Sequence, residues 1–387
     1  MGKDNGKWLF FFSFLVRNIL FSILRLMNQN YVQISQLVLY LIIKLISSVL
    51  FQTVAACAQK MGCRSIQSFS QDFSCCRTLQ GHTGKIYSMD WDQNKDHIVS
   101  ASQDGCLIVW NAFTQEKIHV IKLACPWMMT CAYSPSGYAV ACGGLDNVCS
   151  VYTLSSQQSS ASPKSVLSGH KAYISCCKYV TGRENQILTS SGDKTCALWD
   201  STLGQRLSTF GDTLAGHSED VMSLSVNSNN PEQFVSGSCD RTAQLWDLRC
   251  PGRAQQIYWG HEADVNSVQF FLDGPLFGTG SEDGTCRIFD TRTGHELQQY
   301  KHPDQIVEAN SIAFSHSGRL LFAAYSNADC YVWDTLTAKI IANMKNLTHA
   351  HTQRISCLGF ASDGALCTGS WDQTLKIWAN GHQKNGV

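Results

Sequence analysis

Short apolar runs alternate with polar turn residues at a nearly constant interval over most of this chain. The clearest example follows Gly216-His217, where the alternating segment Val221–Val226 is succeeded by the apolar run 234–238. Asp240 then precedes a third run, Ala243–Asp247, which ends in Trp-Asp. Short β-rich runs separated by Gly, Asn, Asp and Ser are typical of antiparallel strands joined by tight turns.

The pattern recurs seven times, and an aromatic marker closes each repeat at intervals of 42 to 47 residues. The markers are Trp110, Tyr152, Trp199, Trp246, Phe289, Trp333 and Trp378. Six residues before each marker stands a turn residue: Asp104, Asp146, Asp193, Asp240, Asp283, Asn327 and Asp372. This period, with Gly-His near the start and Trp-Asp near the end of a repeat, predicts an all-β, seven-bladed WD-repeat β-propeller. One blade alone has two bare edges, so the blades are expected to pack radially.

The same pattern predicts how the chain is divided. Residues 75–380 form the propeller, 1–74 an atypical hydrophobic, helical leader, and 381–387 a tail. The last repeat supplies only three strands, so the run Arg77-Thr78-Leu79 is expected to complete that blade and fasten the ring. Segments 155–163 and 211–215 depart from the period and are expected to be loops.

Four residue types recur in register and suggest a structural hydrogen-bonded chain from a Trp indole through a hydroxyl and an imidazole to the turn Asp. Blades one, three and four offer complete sets, and blade five has Phe289 in place of the indole donor. The sets are His82, Ser100, Asp104 and Trp110; His170, Thr189, Asp193 and Trp199; His217, Ser236, Asp240 and Trp246; and His261, Thr279 and Asp283. Blades two and six lack Gly-His and are expected to be held mainly by packing. Because the Ser/Thr-His-Asp sets recur in blade after blade, they are interpreted as structural and not as hydrolase triads.

Composition narrows the function. Lys plus Arg equals Asp plus Glu at 30 each, and the cations are scattered, so nucleic acid is not an expected partner. No two of the eighteen cysteines are separated by two residues, as in a Cys-x-x-Cys motif. Seven lie within apolar runs: Cys131, Cys142, Cys149, Cys176, Cys196, Cys286 and Cys357. They are expected to be reduced, buried thiols rather than disulfides or metal ligands. No Gly-x-x-x-x-Gly-Lys-Ser/Thr loop is present, so neither an enzyme, a cofactor nor bound nucleotide is expected.

Several strings include positions between the structural motifs and are more specific than the repeat itself. They are Arg-Thr-Leu-Gln-Gly-His (77–82), Ser-Ala-Ser-Gln-Asp-Gly (100–105), Ala-Cys-Gly-Gly-Leu-Asp-Asn (141–147), Ser-Ser-Gly-Asp-Lys-Thr-Cys-Ala-Leu-Trp-Asp (190–200), Gly-Arg-Leu-Leu-Phe-Ala (318–323) and Thr-Gly-Ser-Trp-Asp (368–372). These strings resemble the β subunit of heterotrimeric G proteins, and the similarity covers residues 77–379. The insertion before Gly216-His217 is more similar to plant members of the family.

The resemblance implies a signal-transducing scaffold that binds the GDP form of an α subunit on one propeller face. Effectors would use the same face after the α subunit leaves. Where the family often has Asp before the blade-five turn Asp, this chain has Glu282. The positions that match the family's contact residues are Lys85, Tyr87, Trp127, Met129, Leu145, Asn147, Tyr173, Asp220, Met222, Asp264 and Trp371.

The chemistry of these positions suits an interface, since aromatic residues, Met and a few charges are enriched at interface hot spots. Trp371 stands directly before the turn residue, where other repeats carry residues such as Gln, Cys or Glu, which favours a contact role. Met129 and Met222 lie in strands and could equally be core residues. Lys85, without the family match, would be an ordinary solvated charge.

The leader departs from the family, whose members begin with a charged helix that forms a coiled coil with a γ subunit. Here residues 8–27 and 31–51 are rich in Leu, Ile and Phe without a charged heptad, so the coiled coil is in doubt. One or two membrane segments, a signal anchor, or a wrongly assigned upstream exon all remain open. The expected location is peripheral, at the cytoplasmic face of the plasma membrane. The competing function is a generic WD-repeat adaptor that binds peptides on the same face.

Overall fold

Every described strand belongs to one of seven four-stranded antiparallel sheets, and each sheet is a blade of a propeller. The computed structural model describes residues 73–93, 96–154, 162–212 and 215–379. The chain divides into two units, 1–57 and 58–387, and all described residues belong to the second. The predicted leader, the predicted tail, most of the 155–163 loop and part of the 211–215 loop lie outside the described residues. The predicted all-β, seven-bladed architecture is confirmed.

The strand order is the same in every blade, from the central channel outward. The innermost strands are β2 (Ile86–Trp91), β6 (Met128–Tyr133), β10 (Ile174–Tyr179), β14 (Val221–Val226), β18 (Val265–Phe270), β22 (Ala309–Phe314) and β26 (Ile355–Phe360). The second strands are β3 (His97–Ser102), β7 (Ala139–Gly144), β11 (Gln186–Ser191), β15 (Gln233–Ser238), β19 (Leu276–Ser281), β23 (Leu320–Tyr325) and β27 (Leu366–Ser370). The third strands are β4 (Cys106–Asn111), β8 (Val148–Thr153), β12 (Cys196–Asp200), β16 (Ala243–Asp247), β20 (Thr285–Asp290), β24 (Cys330–Asp334) and β28 (Thr374–Ala379). The outer strands are β5 (Lys117–Lys122), β9 (Ser165–Ser168), β13 (Gln205–Phe210), β17 (Gln256–Tyr258), β21 (Glu296–Lys301), β25 (Ile340–Asn343) and, in blade seven, β1 (Ser74–Gln80). A 3-10 turn, Met344–Asn346, follows β25.

The middle strands bury both faces because each blade packs between two others. In β4, Leu107 and Val109 join the cluster between blades one and two, whereas Ile108 and Trp110 join the cluster between blades one and seven. All four are at most 2% exposed. A strand covered on both faces has an uninterrupted apolar run rather than a clean alternation. The outer strand β5, by contrast, exposes most of its residues.

The ring closes as the sequence predicts. Strand β1 pairs antiparallel with β28, with Arg77 opposite Ile377 and Leu79 opposite Leu375. The strand is longer than the predicted three residues. The Trp91 indole also donates to the carbonyl of Gly359 at 3.0 Å, which ties blade one to blade seven. The first and last parts of the propeller thus hold each other, and no blade edge is left open at the junction.

Hydroxyl groups on the innermost strands tie neighbouring blades together around the channel. In each pair a hydroxyl of one blade accepts from a backbone amide of the next, at 3.0 to 3.3 Å. The pairs are Ser88 with Cys131, Thr130 with Cys177, Ser223 with Val268, Ser267 with Ile312, and Ser311 with Leu358. These bonds give hydrogen-bond partners to polar groups that would otherwise be buried unpaired between blades.

All sixteen cysteines among the described residues are free thiols. Six of the seven that the sequence placed in apolar runs are buried, and Cys176 is half-buried. Burial raises the pKa of Cys286 and of Cys357 to about 12 and that of Cys176 to about 11. Because the thiolate is the reactive form, these side chains act as small apolar residues.

Candidate functional site

One repeat position lies at the same place in every blade, namely the residue directly before the innermost strand. In six blades its carbonyl accepts a hydrogen bond at 2.9 to 3.1 Å from the amide that precedes the turn residue between the second and third strands. In blade two the carbonyl oxygen of Trp127 packs against Gly144, where an added Cβ would lie 2.3 Å from it. Equivalent bonds place these residues on one side of the disc, which we call the rim face. This rim ring consists of Lys85, Trp127, Tyr173, Asp220, Asp264, Glu308 and Arg354.

The second residue of each innermost strand lines the mouth of the central channel. In all seven blades the pairing with the second strand shifts register at this residue, which is therefore the extra residue of a β-bulge. Bulges re-aim side chains, and here they turn the residue toward a cavity of about 350 Å³. Tyr87, Met129 and Met222 hold this position, and each is half-buried. Met129 and Met222 therefore line the channel mouth. They are neither fully buried core residues nor freely exposed surface residues.

The turns between second and third strands carry the remaining predicted positions. Leu145 is 49% exposed and, like Trp371, directly precedes the turn Asp. Asn147 has a φ of 64° at the position that Gly105 and Gly284 occupy in blades one and five. Asn tolerates this left-handed conformation, so the turn by itself explains Asn147.

Three aromatic rings from three blades meet on the rim face and form what we call the aromatic cluster. Tyr87 stacks against Trp127 with ring centroids 6.3 Å apart, and it meets Trp371 edge-on at 6.2 Å. Lys85 Nζ lies 3.8 Å from the centroid of the Trp371 ring, and the Arg354 guanidinium carbon lies 5.0 Å from it. Aromatic pairs and cation–π contacts hold such rings in place without covering them completely. The cluster presents a partly exposed apolar surface beside two positive charges.

The backbone at Trp127 is unusual. Its φ of 67° is in the left-handed region, which a bulky side chain seldom adopts, and the ring is 42% exposed. The Trp127 amide donates to the carbonyl of Gln103 at 3.4 Å, which joins the blade-two connection to the blade-one turn. Strain of this kind persists where the surroundings impose it and often marks a functional position.

The opposite part of the rim face is acidic. The Tyr173 hydroxyl donates to the Asp220 carboxylate at 2.7 Å, and its ring packs so closely on Gly192 that a Cβ there would lie 2.4 Å away. Burial raises the pKa of Tyr173, and the bond to Asp220 adds to the rise. Burial also raises the pKa of Glu282, with further contributions from Asp264 and Glu308. The rim ring is therefore anionic through blades four to six and cationic in blades seven and one.

The structure contains the hydrogen-bonded chains that the sequence suggests below these turns. In blades one, three and four the indole donates to the hydroxyl at 2.7 to 2.8 Å, and the hydroxyl bonds His Nε2 at 2.7 to 2.8 Å. His Nδ1 lies 2.8 to 2.9 Å from the turn Asp. Because the carboxylate only accepts, Nδ1 carries the proton and Nε2 accepts from the hydroxyl. In blade five His261 bonds Thr279 and Asp283, while Phe289 is buried without an indole.

Blade seven holds a complete chain that the sequence analysis missed. The Trp378 indole donates to the Thr368 hydroxyl at 2.9 Å, and His351 lies 2.7 Å from both Thr368 and Asp372. Ala350 stands where the other complete repeats have Gly, so a search for Gly-His passes over it. His351 precedes the turn residue Asp372 by 21 residues, and the corresponding His residues of blades one, three and four precede theirs by 22 or 23. This spacing identifies His351 from the sequence. Since Asp372 follows Trp371 directly, this hydrogen-bonded chain fixes the turn that carries one ring of the aromatic cluster.

Blade six was expected to rely mainly on packing, and it contains a polar network of a different kind. Asp329 is buried and accepts from Asn343 Nδ2 at 2.9 Å and from the Tyr331 hydroxyl at 3.3 Å. Its neighbour Asn327, at the turn position, accepts from the Asp329 amide at 3.0 Å. A buried carboxylate with several donors replaces the imidazole chain here.

Two rim-ring members, Glu308 and Arg354, were also missed. Arg354 occupies in blade seven the position of Lys85 in blade one, and Glu308 occupies it in blade six. Counting this repeat position through all seven blades, instead of matching single motifs, would have identified both. Within the described ranges, no group of three or more His, Cys, Asp or Glu residues is arranged to hold a metal ion.

Comparison with known proteins agrees with this description. The sequence model of the family described as "G protein beta WD-40 repeat protein" matches residues 54–379. The chain is 60% identical to the guanine nucleotide-binding protein subunit beta of Oryza sativa subsp. indica over 324 residues, covering 81% of this chain and 85% of that protein. It is 58% identical to the protein of the same name from Nicotiana tabacum, covering 85% of this chain and 90% of that one. For Arabidopsis thaliana the identity is 54%, with 86% and 90% covered.

Proposed function

The chain belongs to the G protein β-subunit family of WD-40 repeat proteins, and from this premise we propose that its rim face holds the GDP-bound form of an α subunit. It is the β subunit of a heterotrimeric G protein, a non-catalytic scaffold that works with α and γ subunits. The generic adaptor alternative is not favoured, because identity of 54–60% extends over most of the chain and of its relatives.

The observation that carries the proposal is the convergence of three rings from three blades: the Tyr87 centroid lies 6.3 Å from that of Trp127 and 6.2 Å from that of Trp371. Trp and Tyr in such a cluster are the residues that most often dominate binding energy at interfaces. Lys85 and Arg354 add donors on one side, and the acidic part of the rim ring adds acceptors on the other. A partner that matches both charges can bind in only one orientation.

The signalling step requires the α subunit to prefer one nucleotide state. A rigid disc gains discrimination only if the α subunit's contact segment fits the rim face in its GDP conformation and fits poorly with GTP. Effectors that use the same face would then be excluded until the α subunit leaves. We propose this mutual exclusion as the means by which the β subunit transmits the signal.

A binding experiment tests the proposal. The full chain is immobilised and presented with α subunit loaded with GDP or with a non-hydrolysable GTP analogue. We expect Trp127→Ala and Trp371→Ala each to weaken binding of the GDP form by roughly tenfold or more, as loss of a central aromatic anchor does. Trp259→Ala is the matched control, because Trp259 is 65% exposed and belongs to neither the rim ring nor the aromatic cluster. Equal binding to both nucleotide states, or equal losses in all three variants, would refute the proposal.

We further propose that the protein acts at the cytoplasmic face of the plasma membrane, in company with a γ subunit. Among the described residues, no helix is long and apolar enough to cross a membrane. The apolar stretches 8–27 and 31–51 lie outside the described residues, and their composition supports a role for the leader in anchoring. Fractionation of cells that express the full chain or a chain lacking residues 1–60 tests this. Unchanged membrane recovery after the deletion would remove the leader from the proposal.

A further inference from the structure

Charges of opposite sign meet at only one place in the rim ring. The anionic part ends at Glu308 in blade six, and the cationic part begins at Arg354 in blade seven. Between blades one and four the aromatic residues Trp127 and Tyr173 separate the two signs. At the blade six–seven boundary no such spacer exists, and Arg354 Nη1 lies 3.7 Å from Glu308 Oε2.

The two cations beside Trp371 therefore differ. Lys85 has no carboxylate within ion-pair distance in the described part of the chain. Arg354 faces Glu308 and also donates through Nη2 to the side-chain oxygen of Asn310. Glu308 is itself held, because its carboxylate accepts from the Ser326 hydroxyl at 2.8 Å.

We propose that Glu308 is a built-in competitor for Arg354 and thereby sets the charge selectivity of this sector of the partner-binding face. The proposal deepens the proposed function and rests on the rim face being an interface. In the free protein Glu308 occupies the guanidinium, so an acidic partner side chain seated on Trp371 must displace it. A basic or neutral side chain meets no such competition.

The strength of this competition is limited, which suits a selectivity device. The side chains of Arg354 and Glu308 are 29% and 48% exposed. Ion pairs this exposed contribute little and are readily exchanged for another carboxylate. Glu308 thus changes which partner chemistry is preferred at Trp371 without blocking the face.

Quenching of Trp371 fluorescence measures the local charge without any partner. The Trp371 signal of the full chain is taken as the difference between each protein and the same protein carrying Trp371→Phe. Iodide, caesium and acrylamide serve as anionic, cationic and neutral probes. In Glu308→Gln we expect iodide quenching of Trp371 to rise roughly two- to threefold, as expected for removing one charge several ångströms away in water. Caesium quenching should fall and acrylamide quenching should stay constant.

Glu116→Gln is the matched control. It removes the same charge from an exposed residue in the connection after β4, on the side of the disc opposite the rim face. It should leave all three quenching constants unchanged. The proposal is overturned if Glu308→Gln leaves iodide quenching unaltered, or if Glu116→Gln raises it equally. Because no α subunit is used, failure here is distinguishable from failure of α binding to the rim face.

Discussion

Blades six and seven are neighbours that support the same face by different means. In blade seven a chain of four side chains runs from Trp378 through Thr368 and His351 to Asp372, the residue after Trp371. In blade six the turn carries Asn327 instead, and Asp329 gathers donors from Asn343 and Tyr331. Both blades are four-stranded and equally closed by their neighbours.

The difference shows that the imidazole chain is not needed to form a blade. Packing against two neighbouring blades buries the apolar faces of blade six just as it buries those of blade seven. In blade seven the hydrogen-bonded chain through His351 additionally fixes the turn that carries Trp371. Satisfied buried polar networks make a structure rigid as well as stable, and rigidity matters most where a flat ring must be presented to a partner.

The largest expected effect comes from breaking the blade-seven chain at its centre. His351→Ala removes one hydrogen-bond partner from Thr368 and one from Asp372, and it leaves a cavity where the buried imidazole stood. We expect the free energy of unfolding to fall by about 2–4 kcal/mol. Urea denaturation of the full chain measures it.

The blade-six counterpart is His302→Ala. His302 is half-buried and its ring lies 4.9 Å from that of Tyr331, outside any chain of this kind. We expect a loss below about 1 kcal/mol. Equal losses in the two variants would mean that the blade-seven chain has no special role.

Acid should weaken blade seven more than blade six, whose turn residue Asn327 does not titrate. Burial alone would raise the pKa of Asp372, but the hydrogen bond and charge of His351, together with the hydrogen bonds from Thr374 and Thr352, outweigh it and hold this pKa at about 2, below its ordinary 3.8. A pKa lower in the folded than in the unfolded chain stabilises the fold above about pH 4, and this stabilisation is lost as the pH falls toward 2. The loss should reach up to about 2 kcal/mol.

Hydrogen exchange can locate this effect. The amides of Thr352 and Thr374 bond the Asp372 carboxylate, whereas the Asp329 amide bonds the side chain of Asn327, which does not titrate. We expect protection factors at the first two amides to fall with acid more steeply than at the third. Parallel loss at all three would assign the acid sensitivity to the whole ring instead.

The smallest expected effects come from single donors at the ends of the networks. Trp378→Phe removes the indole bond to Thr368, and blade five already carries a buried Phe289 at this position. We expect a loss of about 1–2 kcal/mol, including the smaller ring volume. Tyr331→Phe in blade six removes a 3.3 Å bond to Asp329 and should lower stability by about 0.5–1 kcal/mol. A larger loss in Tyr331→Phe would show that the blade-six network is the stronger one.

Some features could be identified from the repeat pattern along the chain, and others only from the arrangement of the blades. The strand positions, the turn Asp residues and the pairing of the Arg77 segment with the last strand follow from the repeat period. The chain through His351 escaped because one flanking residue, Ala350, departs from the motif. Glu308 and Arg354 escaped because neither is unusual by itself; each acquires meaning from its place in a ring.

By itself, the amino-acid sequence determined the number of blades, their order, the closure of the ring and the family. These follow from patterns within about 45 residues, where strand and turn preferences act. The tertiary structure alone decided that Tyr87, Trp127 and Trp371 form one cluster and that Glu308 faces Arg354. Those contacts join residues from different blades, and only the radial packing of complete sheets brings them together.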